Sequence, residues 1–65
     1  MKIAIDKLKW FLRFQRDDIK LNKAMLKDNE NSPEMCIYLS YEIEKNKSAI
    51  ASLKKALAVL KNFKS

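Results

Sequence analysis

Apolar residues recur along this chain in two ladders that match each other when one is read backwards. The first runs Met1, Ile5, Leu8, Leu12, Gln15, Ile19, Asn22, Leu26. The second, taken from its C-terminal end, runs Leu60, Leu57, Leu53, Ile50, Asn46, Ile43, Leu39, Met35. Steps of three and four residues hold side chains on one face of a helix. Two such faces zip together antiparallel if a turn lies between them, and the only Pro, Pro33, falls there. The pattern predicts an all-α, antiparallel two-helix hairpin with helices over about 2–28 and 33–63, in a single domain spanning 1–65. A break at Gln15–Asp18 that splits the first helix into two short ones and gives a three-helix bundle is the weaker alternative, because no Pro or Gly marks it.

The turn carries its own signals. Asp28-Asn29-Glu30-Asn31-Ser32 breaks the periodicity, and Asn29 or Asn31 is expected to take the left-handed conformation at the end of the first helix. Pro33 disfavours the helical conformation for Ser32, so Ser32 should cap the second helix with Pro33 as its first residue. In the matched register Gln15 meets Asn46, with Asn22 one rung-pair away. A polar rung costs stability but penalises slipped pairings, which would set an amide against hydrocarbon.

Beyond the ladder, the first helix carries a second apolar row of Ile3, Trp10, Phe14, Leu21 and Met25, with Phe11 between the two rows. The second helix carries a weaker row that includes Ile37, Tyr41, Ser48, Ser52, Ala56, Val59 and Phe63. A two-helix hairpin has no interior for either row, and large exposed apolar rows indicate an interface. The expected interface residues are Ile3, Trp10, Phe14, Leu21, Met25, Tyr41, Val59 and Phe63. The simplest partner is a second copy, giving a dimeric four-helix bundle. A docking face for a different protein is the sharper alternative, and both can hold at once.

Composition narrows the chemistry. The 65 residues contain no His, no Gly and one Cys. The usual acid/base catalyst, a Cys-based zinc site, and phosphate-cradling loops are therefore not expected. Asp17 with Asp18, and Glu42 with Glu44, point to different helix faces and do not resemble a carboxylate dyad. No catalytic residue, metal ligand or cofactor is expected, and the protein is read as a non-enzyme. Cys36 reads as a small apolar residue. Charges interrupt every apolar run, so neither a signal peptide nor a membrane span is expected, and the compartment is read as cytoplasmic.

The net charge is +6, unequally spread. The end holding both termini has eight cations against Asp6 alone, a net of +7, while the turn end sums to −1. On the first helix Lys2, Lys9, Arg13, Arg16, Lys20, Lys23 and Lys27 fall in a narrow arc. Of these, Lys9, Arg13, Arg16, Lys20, Lys23 and Lys27 are the candidate contacts to an anionic partner. A solvated face kept soluble by its charge is the plainer explanation for the row. An interfacial membrane helix fits less well, because the apolar ladder already has a protein partner.

No motif identifies a family. The Lys-rich helical character and the run from Ala49 to Leu57 (Ala-Ile-Ala-Ser-Leu-Lys-Lys-Ala-Leu) resemble small helical-hairpin proteins encoded by bacteriophages and mobile elements. That resemblance implies an inhibitor or adaptor that binds a host protein. The functional expectation is a non-enzymatic protein-interaction module. The alternative is a small basic nucleic-acid-binding protein that uses the cationic face of the first helix.

Overall fold

The computed structural model describes residues 2–63, apart from the side chain of Phe63. Two helices, α1 (Lys2–Asp28) and α2 (Pro33–Phe63), pack against each other as a hairpin. α1 is unbroken through Gln15–Asp18, so the three-helix alternative does not apply. Each ladder residue within the described range is buried or half-buried. The deepest positions are Leu39, Ile43 and Leu57 among apolar residues, and Asn22 and Asn46 among polar ones. The Met1 rung and the Phe63 contact lie outside the described residues.

The turn differs from expectation in its mechanism. No described residue has a positive φ, so neither Asn29 nor Asn31 is left-handed. The Asn29 side chain does the work instead: its Nδ2 donates to the Met25 carbonyl at 2.7 Å, satisfying an acceptor that the helix end would leave open. The Asn29 N–H donates to the Leu26 carbonyl, and the Asn29 carbonyl then accepts from the Ser32 N–H at 3.0 Å. Successive right-handed turns thus reverse the chain without a left-handed residue.

α2 starts as its sequence dictates. The Met35 N–H donates to Ser32 Oγ at 3.4 Å, and the Cys36 N–H donates to the Ser32 carbonyl at 3.0 Å. Ser32 is therefore the cap. The Cys36 thiol, half-buried, donates to the Asn29 carbonyl at 3.3 Å and so helps fasten the turn to α2.

The result is a rod of 52 × 14 × 10 Å with a radius of gyration of 15.0 Å. A compact chain of this length would have a radius near 11 Å. Its accessible surface is 5283 Å², whereas a compact monomer of this mass exposes about 4,300 Å². The hairpin is thus under-buried by roughly 1,000 Å² on that scaling. Among the described residues no helix is long and apolar enough to cross a membrane.

Candidate interaction surfaces

The register is pinned by a polar cluster at mid-seam. Asn46 Nδ2 donates to Gln15 Oε1 at 2.7 Å and to Asp18 Oδ2 at 3.0 Å, while Asn46 Oδ1 accepts from Asn22 Nδ2 at 2.9 Å. Both donors and the acceptor of the Asn46 amide are engaged. The expected Gln15–Asn46 pair is present, but the cluster is larger. Asn22 bonds directly to Asn46, and Asp18, given no role by the sequence pattern, supplies the fourth member.

This register also decides which residues share a broad face. With the ladder at positions a and d of a heptad, two right-handed helices running antiparallel place e beside e on one side of the seam. They place g beside g on the other. The e positions are Lys2, Lys9, Arg16 and Lys23 on α1, and Ser40, Lys47, Lys54 and Lys61 on α2. The g positions are Ala4, Phe11, Asp18 and Met25 on α1, and Glu42, Ala49 and Ala56 on α2. One broad face is therefore cationic and the other largely apolar.

The expected interface residues divide accordingly. Phe14, Leu21 and Met25 join Phe11 on the apolar broad face, and Val59 joins Tyr38, Ala49 and Ala56 there. Ile3, Trp10 and Tyr41 stand on its outer edges. All seven of the expected interface residues whose side chains are described are exposed, with Trp10 at 61%. Trp10, Phe11 and Phe14 form one patch: the Trp10 ring stacks near Phe14 at 6.1 Å and meets Phe11 edge-on at 5.2 Å. Lys45 covers the ring of Tyr41 at 5.5 Å. Ser52, Lys55, Ala56, Val59 and Leu60 line an open hollow of about 520 Å³ where the side chains of α2 are small. The sequence reading left Tyr38, 55% exposed, off the interface, because its spacing fits neither row of α2 taken alone.

The candidate cations Lys9, Arg13, Arg16, Lys20, Lys23 and Lys27 are all exposed on the opposite side. α2 adds Lys47, Lys54 and Lys61 to that side, a contribution that the reading of α1 by itself missed. The signal was present in the antiparallel register, which sets e beside e. The ion pairs found among the described residues, Glu42–Lys45 at 3.9 Å and Glu44–Lys47 at 3.7 Å, both lie within α2. Among the described residues no group of three His, Cys, Asp or Glu side chains is placed to hold a metal ion.

These features define a class, an all-α helical hairpin with one apolar and one cationic broad face. No known protein family, curated protein or solved structure matches the chain.

Proposed function

We propose that the chain is a non-enzymatic interaction module that works as a homodimer, with the apolar broad faces of two hairpins meeting in a four-helix bundle. The single observation that carries this reading is the under-burial. Among the described residues only Leu39, Ile43 and Leu57 are buried apolar ones, and a scaffold this small ordinarily needs a disulfide, a metal or a second chain to complete its core. The surplus surface of roughly 1,000 Å² is close to the ~800 Å² that each partner gives up in a standard interface.

Shape supports a second copy as the occupant. A two-fold axis along the rod lays α1 of each hairpin over α2 of the other. Phe11 and Phe14 then face Ala49 and Ser52 of the second copy, so bulky side chains meet small ones. Leu21 and Met25 lie toward the Tyr38 level of the second copy, where large apolar side chains meet each other. Such a module acts by occupying or joining macromolecular surfaces rather than by turning over a substrate.

Light scattering during size-exclusion chromatography at tens of micromolar chain tests the reading. The expected mass is twice 7.6 kDa. A folded species of 7.6 kDa across that range would overturn it. A different protein that displaces the second copy from this face would show as a mixed complex, and would remove the homodimer from the functional state.

A further inference from the structure

We infer that the cationic broad face is a track for the phosphate backbone of duplex nucleic acid, and that the dimer joins two duplexes. The dimer clause rests on the proposed function above; the track itself belongs to the single hairpin.

The charge pattern is the starting observation. Seven of the eight e positions are cations, and across the seam Lys2 faces Lys61, Lys9 faces Lys54, and Arg16 faces Lys47. Antiparallel helices that use these positions to choose a partner set opposite charges there. Here like charges face each other, which works against the hairpin and leaves a strong positive field along the seam. Arg13, Lys20 and Lys27 broaden the track on the α1 side. Asp6 and Glu44 are the anions on this side, and Glu44 is engaged with Lys47 at 3.7 Å. Ten cations against two anions leave +8 here, so the rest of the chain carries −2 out of the total of +6.

The geometry selects the anion. Cations in one e row repeat every seven residues, about 10.5 Å along the helix, and Lys2 to Lys23 span about 31 Å. That length is close to the ~34 Å turn of a B-form duplex. The two rows run straight and parallel along a 52 Å rod. A repeating linear anion satisfies such an arrangement, and the flexible Lys side chains can follow phosphates without reading bases. A membrane surface fits poorly. An interfacial helix sinks apolar residues beside its cations, whereas this face offers Ser40, Ala51 and Ala58 between them and a single large apolar residue, Ile37, near the turn. The aromatic side chains lie on the opposite side and its edges.

In the dimer the apolar faces meet, so the two cationic faces look outward in opposite directions. One dimer therefore presents two tracks back to back, a geometry that bridges duplexes rather than wrapping one.

The test uses the full chain and a mixed-sequence duplex of roughly 20–30 base pairs, two to three helical turns and so longer than one track. Fluorescence anisotropy should show binding at 50 mM salt that weakens at least tenfold by 200 mM, as neutralised phosphates require. Bead-held duplex should retain a second, labelled duplex only when protein is added. Lys9→Glu with Lys54→Glu should reduce duplex binding at least tenfold while the thermal midpoint stays level or rises, which a merely misfolded variant could not do. Phe14→Asp should keep binding but lose bridging. The track is overturned if the native protein does not bind duplex at 50 mM salt, if the double charge reversal binds as well as the native chain, or if polyglutamate competes as effectively as duplex at equal charge. Duplex binding without bridging by a chain that sediments as a monomer overturns the dimer clause and leaves the track standing.

Discussion

At the residue scale, Asn46 sets the register. Its amide makes three hydrogen bonds across the seam while only 5% exposed. Asn46→Leu would leave Gln15, Asp18 and Asn22 without their shared partner, and unmade bonds at a buried site are costly. The expected loss is about 1–3 kcal/mol, read from urea unfolding. Converting Gln15, Asn22 and Asn46 together to Leu in an Asp18→Ala background should reverse the sign and raise the thermal midpoint, because an all-apolar seam carries no such penalty. The same triple change should admit slipped pairings, visible as broadened or doubled amide resonances. If Asn46→Leu unfolds at the same urea concentration as the native chain, the amide cluster does not hold the seam.

Charge is the second residue-scale feature with a measurable sign. Lys54 faces Lys9 across the seam, so Lys54→Glu exchanges a repulsion for an attraction. The pair is exposed, and the gain should not exceed about 1 kcal/mol. It should raise the midpoint in 10 mM salt and vanish in 1 M salt, where the screening length is about 3 Å. A gain that persists at high salt would mean the residue acts through packing instead.

At the element scale, each helix is bounded by side chains of the connection. Ser32 Oγ accepts from the Met35 N–H, and Asn29 Nδ2 closes the end of α1 on the Met25 carbonyl. Ser32→Ala should cost about 0.5–1 kcal/mol, the low end for a lost cap because the bond is long at 3.4 Å. In a domain of this size that is a fall in thermal midpoint of a few degrees, on the order of 4–8 °C per kcal/mol. Ser32→Asp should restore it, since a carboxylate at a helix start both caps and meets the positive end of the dipole. No loss on Ser32→Ala would show that Pro33 and the backbone bonds suffice.

At the scale of the whole molecule, the antiparallel hairpin was legible from ladder spacing and the lone Pro, whereas the rung-for-rung register was not. Asn46 bonds both Gln15 and Asn22 and so sits between them, where the matched ladders set it level with Gln15 alone. The turn's conformation was less legible. An Asn at a helix end can adopt the left-handed state or bond backwards with its side chain, and the choice depends on bonds from Ser32 and Cys36 that spacing does not reveal. Asp18 was missed for a related reason. Matching rung to rung assigns each residue one partner, whereas the Asn46 amide has three bonding sites and reaches a g position as well. The two-faced character escaped because the apolar and cationic rows were taken helix by helix. Setting the helices antiparallel brings Tyr38 and Val59 beside the α1 aromatics, and Lys47, Lys54 and Lys61 beside the α1 cations.

The central claim is that the apolar broad face, and not the cationic one, receives a second copy of the chain. Sedimentation equilibrium on three proteins tests it most directly: the native chain, Phe14→Asp, and Arg16→Glu with Lys47→Glu. Each dimer buries two copies of Phe14, at about 1.5–3 kcal/mol apiece, so Phe14→Asp should weaken dimerisation by roughly a hundredfold or more, at 1.4 kcal/mol per tenfold. The cationic-face pair should dimerise as the native chain does. A native chain that sediments at 7.6 kDa, or a dimer broken by the Arg16 and Lys47 reversals but not by Phe14→Asp, would contradict the account.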